Sequence, residues 1–321
     1  MNYKKLLIIA STSVLVLAGL TGTYFLGKHV SRTQQKTSQS SSSNYPLLAK
    51  RLFVESPNDQ ILNFAPLRTE LNAYMNAIGK QNSVYFEYLP SGTSIKVGDT
   101  NELVAASLTK IPVVMQLYKA KELGKLNLDD MVPLKQEFLD SASGDLYKMG
   151  AGYQLSLRQA AQKTLEDSDN TAALTIIDAT QTKVSSSDAP YSALDLQIER
   201  DKNNQIVIDS KSYSSFLKCL YFSCYLNNDD SQEVLDYLSS SKFNDRLTAP
   251  IPNDIKVAHK IGTFSTKIQS DCGIIYLPNR QYLLCVMLAM PDPEASKNIA
   301  NISKITYDYV LNYPNSANPK P

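Results

Sequence analysis

Histidine is almost missing from this chain of 321 residues, which holds only His29 and His259. His29 follows the N-terminal apolar run, so His259 is the one imidazole left for the rest of the chain. A Ser-His-Asp arrangement would have to use it, and no G-x-S-x-G motif accompanies it. The same scarcity argues against a two-His zinc site, and there is no Cys-x-x-Cys pair, so neither metal nor cofactor is expected. Four cysteines are too few for a disulfide-built scaffold, and 12 Gly with 15 Pro exclude a collagen-like composition. A charge excess of one sign is also missing, because 32 basic groups face 31 acidic ones. No basic stripe with interleaved aromatics stands out among the 19 tyrosines, so no nucleic-acid partner is expected. With 43% hydrophobic and 20% charged residues the chain is not disordered as a whole.

Acidic residues are absent from positions 1–46, which hold five basic groups: Lys4, Lys5, Lys28, Arg32 and Lys36. The remainder therefore carries about −4. Residues 6–26 contain no charged side chain, and as a helix rising about 1.5 Å per residue they would span about 31 Å, enough for a bilayer core. A cleaved signal peptide is the competing reading. Residues 14–22 offer no A-x-A site, and Leu20 follows Leu17-Ala18-Gly19 where a lipoprotein signal needs Cys. A transmembrane signal anchor at 6–26 is expected, after a short cytoplasmic end at 1–5. Charge does not orient it, since Lys28, Arg32 and Lys36 flank the run as closely as Lys4 and Lys5. Residues 27–46 read as a flexible Ser/Gln-rich tether, 47–313 as the folded domain and 314–321 as a loose tail.

Within the domain, Leu67, Leu71, Tyr74, Met75 and Ile78 recur at helical spacing after Pro66, predicting a helix that Gly79 ends. Residues 84–89 and 94–97 flank Pro90-Ser91-Gly92 as a hairpin. Helices are predicted over 109–123, over 157–180 with an interruption at 167–170, over 212–226, and over 232–239 with Ser231 as N-cap. Strands at 255–262, 272–277 and 282–288 follow, then a helix at 294–309. The class is α+β: a sheet made from both chain ends, beside an all-α insertion, with a cleft between them.

Serine activated by lysine is the chemistry this composition leaves open, because a desolvated amine can act as a base. On a helix, S-x-x-K puts both side chains on one face. The pattern occurs as Ser107/Lys110, Ser215/Lys218 and Ser239/Lys242. Only the first opens an apolar helix, after Val104-Ala105-Ala106 and before Ile111-Pro112-Val113-Val114-Met115; the others read as ordinary polar helix surface. Ser168-Asp169-Asn170, which alone would read as a helix cap, and His259-Lys260-Ile261-Gly262-Thr263 follow in order.

Together with Gly124-Lys125-Leu126-Asn127-Leu128-Asp129 and Asp271-Cys272-Gly273-Ile274, these motifs resemble the penicillin-recognising serine hydrolases, class A β-lactamases above all, over residues 60–311. The resemblance implies a β-lactamase/transpeptidase-like fold with an antiparallel sheet flanked by helices, and an extracytoplasmic, membrane-held, monomeric ectodomain. It implies Ser107 as acyl-forming nucleophile, Lys110 as its proton partner and Ser168 as relay to the leaving nitrogen. Asn170 would hold the substrate amide, Lys260 would supply positive charge, and Gly262 and Thr263 would line the substrate, with the N–H groups of Ser107 and Thr263 as oxyanion hole. The implied partner is a β-lactam or a D-Ala-D-Ala-like peptide. Three activities remain open: β-lactam hydrolysis, DD-peptidase-like penicillin binding with slow deacylation, and non-catalytic cell-wall binding.

Two departures bear on that choice. Ile261 stands where the family carries a hydroxyl; losing one charge-assisted hydrogen bond costs about 1.5–3 kcal/mol unless Thr263 replaces it. Glu199-Arg200-Asp201-Lys202-Asn203 matches the family's Glu-x-x-x-Asn deacylation pattern, yet residues 196–200 and 205–208 also read as two arms of a hairpin, which would leave Glu199 an exposed strand residue. The cysteines stay open. Cys219 and Cys224 would diverge on one helix, and Cys272 and Cys285 would sit about one pair out of register across a two-residue turn. Disulfides and buried thiols both remain possible.

Overall fold

The computed structural model describes residues 63–79, 81–98 and 103–313, together with Pro46. Contacts divide the chain into residues 1–46 and residues 47–321, and every element below lies in the second unit. The expected anchor at 6–26, the rest of the tether up to residue 45 and the tail lie outside the described residues. Among those described, no helix is long and apolar enough to cross a membrane.

The helices are α1 (Ala65–Ile78), α2 (Lys110–Glu122), α3 (Leu157–Glu166), α4 (Asn170–Thr180), α5 (Pro190–Ala193), α6 (Ser210–Phe222), α7 (Asn228–Ser239) and α8 (Glu294–Asn312). The strands are β1 (Asn82–Tyr88), β2 (Thr93–Val97), β3 (Leu103–Val104), β4 (Met131–Pro133), β5 (Gln154–Ser156), β6 (Glu199–Arg200), β7 (Ile206–Ile208), β8 (Val257–Phe264), β9 (Ile268–Ile275) and β10 (Tyr282–Leu288). Five strands form an antiparallel sheet in the order β2-β1-β10-β9-β8, so both chain ends build it.

Every residue of β1 and β10 is buried, because helices cover both faces. On one face Leu67, Leu71 and Met75 of α1 and Ile299, Ile302 and Val310 of α8 meet Val84, Phe86, Leu284 and Val286. Burying each such side chain is worth about 1.5–3 kcal/mol. The opposite face carries polar residues satisfied by α6: Ser83 Oγ lies 2.7 Å from Ser210 Oγ, and Lys218 Nζ donates to Glu87 at 3.2 Å. The edge strand β8 is left beside the all-α part, where the cleft was expected.

Three expectations need correction. The N-cap of α7 is Asn227, whose side chain accepts from the Asp230 N–H at 3.0 Å, and Ser231 lies inside the helix. Both residue types cap helices, so composition could not choose. Cys272 and Cys285 face each other directly and form a disulfide, because the connection from β9 to β10 is centred between Pro278 and Asn279 and pairs Ile275 with Tyr282, one residue earlier than a turn at Asn279-Arg280 would place it. Cys219 and Cys224 also form a disulfide: α6 stops at Phe222, Ser223 adopts φ 50°, and Cys224 folds back so that its N–H donates to Cys219 O at 3.0 Å.

Candidate active site

Ser107 sits on a tight 3-10 turn, Ala106–Thr109, that joins β3 to α2. The turn is held from three sides. Ala105 N–H donates to Ile206 O of β7 at 2.9 Å, and Tyr213 OH of α6 donates to Leu108 O at 3.1 Å. A Cβ at Gly262 of β8 would come within 3.0 Å of Ala105 O and of the Leu108 side chain, so glycine lets the edge strand approach the turn. Ala106 takes φ 48°, an unfavourable conformation for alanine.

Lys110, on the next helical turn, points its amine at Ser107 Oγ, 3.3 Å away, and at Ser168 Oγ, 3.2 Å away. It also donates to Ser168 O and, at 2.6 Å, to Asn170 Oδ1. Burial pushes its pKa down to about 8 against the opposing pull of Asp169 and Asp140. Lys218 and Lys242 of the other two S-x-x-K pairs instead face carboxylates, Glu87 at 3.2 Å and Asp167 at 2.5 Å.

The Ser168-Asp169-Asn170 motif caps a helix and also lies against Lys110. Asp169 caps α4 by accepting from the Ala172 N–H at 2.9 Å, and its second oxygen accepts from the Leu146 N–H at 2.8 Å. Ser168, at φ 53°, and Asn170 are thereby turned toward Lys110. Lys260 Nζ closes the group from β8, donating to Ser168 Oγ at 2.8 Å and to Ile261 O at 3.2 Å, with the Phe243 ring 5.9 Å away. Burial, then the neighbouring Lys110 and Arg246 charges, hold its pKa well below the usual lysine value, with Asp271 opposing.

Ser107, Lys110, Ser168, Asn170 and Lys260 are thus linked around two amines and two hydroxyls. Ile261 is buried at 7% exposure opposite Asp271, and strand alternation puts it on the other face from Lys260. Thr263 is exposed two residues further along β8. Glu199 is exposed in β6, paired with Val207 at the outside of the ribbon β3-β7-β6, and no hydrogen bond joins its side chain to Ser107, Lys110 or Asn170. His259 pairs with Asp271, Nδ1 to Oδ1 at 2.8 Å, and no serine or threonine hydroxyl completes a triad among the described residues.

Arg246 is a residue that sequence reasoning missed. Its guanidinium, 5% exposed, donates to Gly262 O and Ser270 O at 3.2 and 3.0 Å, and to Thr263 Oγ1 and Asp292 Oδ2, each at 3.1 Å. These bonds fasten the end of β8 to β9 and to the segment before α8. A lone arginine between Asp245 and Leu247 carries no spacing signal that could have revealed them.

A sequence model of the β-lactamase enzyme family matches residues 66–310. No curated protein matches the sequence. Among solved structures, PBP-A is similar with 22% identity and a TM-score of 0.70, over 77% of this chain and 96% of that one. A PBP-A mutant in acyl-enzyme complex with penicillin G has 22% identity and a TM-score of 0.70, over 80% and 99%. A β-lactamase from Sphaerobacter thermophilus has 19% identity and a TM-score of 0.69, over 79% and 100%. These likenesses establish the β-lactamase/transpeptidase-like fold.

Proposed function

The chain belongs to the β-lactamase enzyme family, and from that premise we propose that it is a membrane-anchored, extracytoplasmic serine hydrolase that acylates Ser107 with a β-lactam or a D-Ala-D-Ala-like peptide. The observation that carries the proposal is the bonding of Lys110. A neutral amine has two N–H bonds and one lone pair. Ser168 O and Asn170 Oδ1 can only accept, so they take the two hydrogens and leave the lone pair for a hydroxyl, with Ser107 Oγ in reach. With the pKa near 8, about a tenth of the molecules hold Lys110 neutral at pH 7.

Ser107 Oγ attacks the substrate carbonyl carbon and passes its proton to Lys110 Nζ. The oxyanion is held by the N–H groups of Ser107 and Thr263, where one donor is typically worth about 2.7–4 kcal/mol. As the C–N bond breaks, Ser168 Oγ gives its proton to the leaving nitrogen and regains one from Lys110 or Lys260, both within hydrogen-bond distance. The acyl group remains on Ser107 as an ester until water removes it.

The exposure of Glu199 favours one form of this activity. Without a carboxylate next to the ester, deacylation is slow, as in a DD-peptidase-like penicillin-binding protein. An extracytoplasmic location is supported by the two disulfides, since such bonds persist in oxidising compartments. The test combines absorbance at ring opening with the mass of the full chain after penicillin G is added. A persistent adduct with little turnover supports the slow form, rapid turnover supports a β-lactamase, and no adduct with no turnover sinks acylation.

A further inference from the structure

Strand alternation sends Lys260 of β8 to the Ser107 cleft and His259 to the other face. His259 is 1% exposed, and its partner Asp271 is fixed in turn by the Leu247 N–H at 3.0 Å. With Nδ1 engaged by the Asp271 carboxylate, Nε2 is the ring nitrogen left over, an acceptor in the neutral ring and a donor in the charged one. No described residue donates to that nitrogen.

The ring forms part of the wall of a cavity of about 450 Å³ at the start of β8. The wall is dominated by uncharged hydrogen-bonding side chains, Ser239, Ser241, Asn244 and Asn253, with Ile251 and Val257 as apolar surface. Its lysine, Lys256, already faces Asp236 at 3.4 Å, so it offers an anion little. A second cavity of about 620 Å³ shares Pro252, Asp254 and Ile255 with the first and adds the rings of Tyr307 and Tyr313 with Leu277, Pro278 and Arg280, whose guanidinium already donates to the carbonyls of Val310, Leu311 and Tyr313. Amides, hydroxyls and an imidazole nitrogen beside aromatic and proline faces suit a ligand whose hydroxyls both donate and accept and which carries flat apolar patches.

We propose that this trough, backed by the His259–Asp271 pair, binds an uncharged, hydroxyl-rich ligand of the oligosaccharide class. The site does not depend on chemistry at Ser107, so the two proposals fail separately. The full chain carrying His29→Gln has a single imidazole, and isotope-labelled histidine makes His259 Nε2 directly observable by nuclear magnetic resonance. The probes are a chitin-type N-acetylglucosamine tetramer, inorganic phosphate and D-alanyl-D-alanine.

The tetramer is expected to move the Nε2 resonance saturably, and the other two to leave it in place. Asn244 and Asn253 are exposed loop residues. The pair N244A/N253A is expected to weaken the tetramer about tenfold, the loss of two hydrogen bonds, while an unchanged thermal unfolding curve serves as the control for folding. An Nε2 resonance unmoved by the tetramer, moved equally by phosphate or the dipeptide, or indifferent to the double substitution would overturn the proposal.

Discussion

At the scale of a single residue, the proposed chemistry rests on Lys110. Its three neighbours in the S-x-x-K and S-D-N motifs were legible because a spacing of three on a helix and a capping triplet each have a fixed geometry. Its bond to Ser168 O was not, since that depends on a left-handed serine between α3 and α4. If the neutral amine is the base, acylation by penicillin G rises with pH through about 8 and then levels, as stopped-flow labelling between pH 6 and 10 would measure. A rate flat across that range would contradict the assignment. Lys110→Met lowers the same rate by about 10²–10⁴-fold, the usual weight of general base catalysis. The linkage has a definite sign: a lysine whose folded pKa lies below its unfolded one binds more protons when unfolded. Stability therefore rises with pH between about 8 and 10.5 on account of this group, which thermal unfolding at the two ends of that window would detect.

At the scale of elements, the site depends on how loops meet helix and strand ends. The loop before Leu146 is pinned by Asp169, and Gly144, at φ 83°, has no room for a side chain: an added Cβ would lie 2.0 Å from Asp169 Oδ2. Gly144→Ala should dislodge Asp169 and with it Ser168 and Asn170, costing about 2 kcal/mol or more of stability and most of the acylation rate, measured by chemical denaturation and by penicillin labelling. A variant of unchanged stability and rate would show that this clamp is dispensable. The disulfide Cys272–Cys285 lies between β9 and β10, with Cys272 paired to Lys260 across the sheet. Replacing both cysteines by alanine should lower stability by about 3 kcal/mol for a loop of this size, read from the same denaturation curves.

The order of the long helices and of the five sheet strands was legible from helical periodicity, apolar strand runs and turn residues, whereas the short pieces β3, β4, β5 and α5 carry too few residues for a pattern. Register was not: it depends on the connection being centred between Pro278 and Asn279 rather than one residue later, and the turn residues Pro278-Asn279-Arg280 suit both. Nor was the role of Arg246, whose acceptors come from three separate segments.

At the scale of the whole molecule, the near-zero net charge conceals a basic N-terminal stretch and a mildly acidic domain. The reading of residues 6–26 as an anchor predicts that the full chain sediments with membranes and is released by alkaline carbonate only when those residues are deleted. Release of the intact chain by carbonate would refute the anchor. A protease added to spheroplasts should digest the domain without lysis, because its two disulfides fit an oxidising compartment outside the cytoplasm; protection until lysis would place it on the other side.

The family and the fold describe a framework in which Ser107, Lys110, Ser168 and Lys260 meet, and the central claim is that this meeting forms an ester on Ser107. Intact-mass spectrometry with peptide mapping tests it directly, comparing the full chain with its Ser107→Ala variant after exposure to penicillin G. The account predicts one covalent penicilloyl group, mapped to Ser107, on the unaltered chain and none on the variant. An unmodified chain at high penicillin concentration, or an adduct that survives Ser107→Ala, would contradict it.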